Sequence, residues 1–170
     1  IQTDINKYFY QLSDLYSSEK RIYHNLNHIK FLLECLENIG EYIEDKTCVF
    51  FAIWFHDAIY EPQKNDNEKQ SAELAVKLLQ KISLPAEKIL KIEKIILATE
   101  KHSAENLDSD GKIFLDFDLA ILGAENEIYD EYAKAIREEY DFVSDEDYKI
   151  GREQVLQNFL KRNFIYFTDV

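Results

Sequence analysis

Apolar residues recur three and four positions apart through most of the chain, the spacing that puts them on one face of an α-helix. Over residues 3–17 the stripe is Ile5, Tyr8, Phe9, Leu12, Leu15 and Tyr16. Over 27–39 it is Ile29, Leu32, Leu33, Leu36 and Ile39, with Gly40 as a stop. Residues 46–58 break the pattern, because Val49, Phe50, Phe51, Ala52, Ile53, Trp54 and Phe55 leave no polar face. A helix that is apolar all round is a buried one. A buried strand is the alternative, and the length of the run favours helix. A polar loop containing Pro62 follows over residues 60–66. Helical spacing resumes over 67–83 through Ala72, Ala75, Leu78, Leu79 and Ile82. Pro85 suits the first turn of the next helix, which Ile89, Ile92, Ile95, Ile96 and Thr99 continue to His102. Ser103 to Gly111 reads as a loop, and helices are predicted over 112–122, 125–142 and 145–162. The apolar Phe164-Ile165-Tyr166-Phe167 is predicted to dock on the core. The pattern amounts to one all-α domain over residues 1–170, a bundle of about eight helices without a sheet.

Composition narrows the functional classes. A chain of 170 residues with 46% hydrophobic residues has the size and apolar content of one ordinary domain. Only 4 Gly and 2 Pro argue against collagen, disorder and a turn-rich β-sandwich. The net charge is −13, from 33 acids against 20 bases, and no run of Lys or Arg offers a basic patch. A nucleic-acid polymer is therefore excluded as the expected partner. A small phosphorylated molecule is not, because a bound cation supplies local positive charge. No apolar run reaches the ~18 residues of a membrane span. Ile1-Gln2-Thr3-Asp4 lacks the basic and apolar regions of a signal peptide. Cys35 and Cys48 lie in apolar helical stretches and read as buried free thiols. Together these features lead us to expect a cytoplasmic protein.

The chain has four histidines, His24, His28, His56 and His102. His24 and His28 are four apart, which on a helix puts both on one face. His56 and Asp57 directly follow the buried run. A carboxylate buried there needs compensation, and a cation held by both residues supplies it. The alternative is an Asp57 that caps a neighbouring helix and a His56 in a core hydrogen bond. Asp116 and Asp118 sit inside the apolar run Ile113-Phe114-Leu115-Asp116-Phe117-Asp118-Leu119-Ala120, where helix capping is the plainer explanation.

Taken in order, a His, a His-Asp pair and a distant Asp resemble the HD-domain superfamily of metal-dependent phosphohydrolases, which is all-α. The resemblance implies metal ligands at His28, His56, Asp57 and Asp118, and the 28-residue separation of His28 from His56 is typical of that superfamily. Asp116-Phe117-Asp118 is similar to its Asp-Ala-Asp step, in which the second acid ligates. Tyr23-His24-Asn25-Leu26-Asn27-His28 is similar to the Tyr-His-Asn-x-x-His motif of cyclic-nucleotide phosphodiesterases, which implies a general acid at His24. That match is confined to the motif and implies no cyclic nucleotide. Over nearly its full length the chain resembles a group of small bacterial HD proteins. The matching segments are 54–60, Asp66-Asn67-Glu68, 98–102, Ile136-Arg137-Glu138-Glu139-Tyr140 and Gly151-Arg152.

The implied activity is attack by metal-activated water on a phosphate ester of a small molecule or nucleotide, with His24 and Asp57 as the catalytic residues. One or two divalent ions are implied, and mixed N and O donors suit Mn, Fe, Ni, Co or Zn better than Mg. Around this core, Arg21, Tyr60, Asp66, Glu68 and His102 are candidates for substrate binding or for supporting the ligands. Each has a plainer alternative: ion pairing for Arg21, packing for Tyr60, helix capping for Asp66 and Glu68, an ordinary helix end for His102. Arg137 and Arg152 are expected in structural ion pairs. Many members of the superfamily have a Gly and a Lys shortly after His-Asp, whereas this chain has Ala58-Ile59-Tyr60-Glu61, so either phosphate contacts come from elsewhere or the substrate differs. Two other functions fit the same residues. A diiron oxygenase needs both His24 and His102 as additional ligands, and a silent module binds metal or nucleotide without turnover.

Overall fold

The computed structural model describes residues 2–170, with side chains from Lys7 onward, so Ile5 of the first stripe lies outside the described side chains. Eight α-helices run in order: α1 (Gln2–Tyr16), α2 (Leu26–Ile39), α3 (Lys46–Phe55), α4 (Asn67–Lys81), α5 (Ala86–Thr99), α6 (Ser109–Leu119), α7 (Asn126–Glu139) and α8 (Asp145–Leu160). Short 3₁₀ turns occupy Gly40–Tyr42 and Ala120–Gly123, and no strand occurs among the described residues. No helix among them is long and apolar enough to cross a membrane.

Helix α3 lacks a polar face because it is packed on two sides. Val49, Ala52 and Ile53 face Ile29 and Leu32 of α2 and Phe114 and Leu115 of α6. Cys48 and Phe55 face Ala72 and Leu79 of α4 and Ile92 and Ile96 of α5. Burying such side chains contributes about 1.5–3 kcal/mol each, which makes α3 the organising element. Its start is set by Asp45, whose carboxylate accepts from the Cys48 amide at 3.2 Å. Cys48 is buried, Cys35 is partly exposed, and both are free thiols.

Several helix boundaries depart from the sequence expectation. Helix α3 stops at Phe55, so His56 and Asp57 stand on the turn that follows it. Helix α5 stops at Thr99, and His102 lies beyond it with φ 43°, a left-handed backbone unusual for a non-glycine residue. Helix α6 begins at Ser109, capped by Asp108, whose carboxylate accepts from the Gly111 amide at 3.0 Å. Gly111 therefore sits inside α6. A Cβ there would lie 3.1 Å from Leu107 Cβ and 3.3 Å from Ile95 Cγ1, so its role is close packing.

Of the four apolar residues at 164–167, Phe167 packs on the core, while Phe164 stays exposed. Asp116 holds this C-terminal segment. Its buried carboxylate accepts from the amides of Phe167 and Thr168 at 2.7 and 2.8 Å and from Thr168 Oγ1 at 2.6 Å. Asp116→Ala strands these donors, so a loss of about 1–3 kcal/mol and faster proteolysis within 161–170 are expected. Chemical denaturation and limited proteolysis measure both effects, and unchanged protection of the segment would contradict this role for Asp116.

Candidate metal centre

The capped start of α2, the end of α3 and the last turn of α6 bring their polar side chains to one buried point. Asn25 caps α2 by accepting from the Asn27 amide at 2.8 Å, which places His28 in the first helical turn. His56 Nδ1 donates to the Ile53 carbonyl at 2.9 Å, so its Nε2 faces the point as a lone pair when the ring is neutral. His28 Nε2 lies 3.2 Å from His56 Nε2 and 3.3 Å from Asp118 Oδ1, and His56 Nε2 lies 3.7 Å from that same oxygen. Donor atoms of His28, His56 and Asp118 all fall within 4.8 Å of one another. Two ring nitrogens and a carboxylate oxygen converging this closely repel one another unless a proton or a cation sits among them.

This donor set fits a divalent cation. Asp57 adds a second carboxylate, with Oδ2 3.1 Å from His56 Nε2, although it stands outside the mutually close trio. Burial opposes the charged form of His56, but the carboxylates of Asp57 and Asp118 outweigh it and raise its pKa to about 9. Burial pushes His28 down. Burial also opposes ionisation of both carboxyls, yet His56 holds Asp57 below the usual range, and bonds to His102 and His28 hold Asp118 well below it. The point is thus a buried negative field that stabilises positive charge. His28 Nδ1 is buried without a partner among the described residues, so this ring lacks the outer hydrogen bond that His56 has.

His24 is not on a helix with His28, as the four-residue spacing suggested. It occupies the turn before α2, and the fold still brings the two rings to 5.9 Å between centroids. His24 Nδ1 is 2.7 Å from Glu139 Oε2. Tyr60 donates to the same oxygen at 2.9 Å, and Glu139 Oε1 accepts from the amides of Tyr23 and His24 at 2.8 and 3.0 Å. Burial lowers the pKa of His24, but the Glu139 bond and the nearby carboxylates raise it above its ordinary value.

The other candidates separate. Arg21 is buried and pairs with no acid among the described residues. Its guanidinium donates to the carbonyls of His24 (3.1 Å), Asp57 (2.7 Å) and Ala58 (2.9 Å), tying the two halves of the site together. His102 joins the cluster, with Nε2 2.9 Å from Asp118 Oδ2. Its strained backbone is held by Arg162, which donates to the carbonyls of Lys101 and His102. Tyr60 and Glu68 line the adjoining cavity. Asp66 does not join them: it is exposed and makes no side-chain cap to α4. Asn67 does the structural work there, closing the loop through reciprocal bonds to Glu61.

Glu139 was missed as a site residue, although the segment 136–140 stood out in the sequence. The usable signal was periodicity, since Glu139 shares the inward face of α7 with buried Ile136 while Glu138 points outward. Arg137 meets its expected ion pair, with Asp145 at 2.6 Å. Arg152 does not, and bonds Tyr132 instead.

A cavity of about 840 Å³ opens over the cluster. His24, Asp57, His102 and Asp118 line it on one side and residues of α7 and α8 on the other. The cavity thus brings His24, the carboxylates of Asp57 and Asp118 and a broad apolar wall together. Comparison with known proteins gives no match: no family model, no curated protein and no solved structure matches this chain.

Proposed function

We propose that this protein is a metal-dependent phosphohydrolase of the HD-domain type, acting on a small phosphate ester or nucleotide. The observation that supports it most is the convergence of His28, His56 and Asp118 beneath a cavity that His24 also lines. Asp57 would complete the ligand set. The donors suit Mn, Fe, Ni, Co or Zn better than Mg. When bound, such an ion acidifies a coordinated water and neutralises phosphoryl charge.

The chain's own residues have distinct tasks in this reading. Glu139 accepts a hydrogen bond from His24 Nδ1–H and favours the charged ring, which leaves Nε2 as the atom that hands a proton to the leaving oxygen. Arg21 is a positioning residue, because it fixes the carbonyl of His24 against that of Asp57. The contact of His102 with Asp118 favours a second ion beside the first. The oxygenase alternative requires His24 as a ligand, and because Glu139 engages Nδ1 and leaves Nε2 free for either role, the metal stoichiometry separates the two readings.

Hydrolysis of phosphomonoesters, phosphodiesters and nucleotides by protein loaded with each metal tests the reading, with Asp57→Ala prepared identically. One class turned over with a metal requirement, and no turnover by the variant, is expected. No hydrolysis above the variant's background would overturn it, and two irons per chain with visible absorption would support the oxygenase instead.

A further inference from the structure

The chain has four arginines, and three are fully employed in holding the fold. Arg21 donates to three carbonyls, Arg137 to two carbonyls and Asp145, and Arg162 to two carbonyls. Arg152 differs. Its guanidinium donates to Tyr132 Oη at 2.9 Å and lies 5.1 Å from the centre of that ring. Among the described residues it has no carboxylate within 4.0 Å and no carbonyl partner. This is unusual in a chain of 33 acids: the phenols of Tyr132 and Tyr129 are its partners, and they leave guanidinium donors uncommitted.

The position of Arg152 is as informative as its freedom. It is half-buried on α8 and lines the same cavity as the metal cluster. The acids that share that cavity wall beyond the cluster are Glu68, Glu100 and Asp147, and none of them pairs with it. Tyr132 stacks edge-on to Tyr23 at 4.6 Å, and Tyr23 lies 5.2 Å from the His28 ring. The rings of Tyr132 and Tyr23 thus link the guanidinium to the His28 ring in a chain of contacts. The same cavity wall carries the apolar and aromatic side chains of Ile136, Tyr140, Val155 and Leu156.

Resting on the phosphohydrolase reading, we propose that Arg152 is a specificity residue that binds a second anionic group of the substrate. The substrate class is then a phosphate ester with an apolar or aromatic body and a further carboxylate or phosphate at its far end. A planar guanidinium fork suits such a group, and a half-buried setting strengthens the bond.

Binding and turnover are read separately. Biphenylyl phosphonate and the same molecule carrying a carboxylate on the far ring are titrated calorimetrically into Mn-loaded protein, and the two corresponding phosphates are assayed for hydrolysis. The carboxylate is expected to tighten phosphonate binding by roughly tenfold or more. That gain disappears in Arg152→Gln and returns in part in Arg152→Lys, which rules out a mere folding defect. No gain in the unmodified protein, or a gain that survives Arg152→Gln, overturns the inference. Absence of turnover with the gain intact counts against the hydrolase alone, and turnover of the plain phosphate without a gain counts against Arg152 alone.

Discussion

Asp118→Ala is expected to remove bound divalent metal and to lower turnover by roughly 10³-fold or more, since losing the cation's charge stabilisation removes about 4 kcal/mol from the transition state. The size of the effect follows from the position of this one carboxylate. Its Oδ1 faces both buried ring nitrogens, and its Oδ2 meets His102. Without it, His28 and His56 still point at each other from 3.2 Å, and only Asp57 remains to offset a cation. Elemental analysis of the purified variant, together with the loss of any metal-induced rise in melting temperature, checks the first part. A variant that retains full metal content would refute the assignment. Asp116→Ala is the informative comparison, because its carboxylate binds the C-terminal segment and should leave the metal in place.

His24→Gln is expected to retain metal and lose about 10²–10⁴-fold in kcat, the usual contribution of a placed general acid. The loss should be larger for alkyl phosphates than for aryl phosphates, whose leaving oxygens need less protonation. The pH dependence follows from the charge state. An acid acts while protonated, so activity is present below its pKa and falls as pH rises through it. Burial lowers the pKa of His24, but the bond to Glu139 and the surrounding carboxylates raise it above the ordinary value, so the fall is displaced toward alkaline pH. Glu139→Gln removes the main stabilising partner and moves that limb to lower pH, whereas His24→Gln abolishes it. An equal loss for alkyl and aryl substrates, with the alkaline limb unmoved in both variants, would sink the acid role and leave His24 as a packing residue.

The same residues show where sequence reading succeeds. The stripes of α2, α4 and α5 were legible because a helix repeats every 3.6 residues, so its buried face is written locally. The burial of α3 was legible from its lack of a polar face. His28, His56, Asp57 and Asp118 were singled out by motif, and the fold brings three of them together, with Asp57 touching His56 but outside the close trio. Boundaries were less legible. Gly111 reads as the end of the 103–111 loop, yet it lies inside α6, where Leu107 and Ile95 press close to the position of a Cβ. The apolar C-terminal run reads as a docking unit, yet Asp116 draws in Phe167 and leaves Phe164 outside.

By itself, the sequence determined that the chain is helical and where its most buried helix lies, and its family resemblance pointed to four ligand-type side chains, His28, His56, Asp57 and Asp118. Helix periodicity and the cost of burying charge act within a few residues, so they can be read without coordinates. Only the tertiary structure decided that Glu139, 115 residues from His24, fixes that ring, and that Arg21 bridges the site through backbone carbonyls. It also drew His102 to Asp118 and left Arg152 without an acid. These pairings depend on which helix faces meet across the bundle, a matter of packing between distant segments that no local pattern encodes.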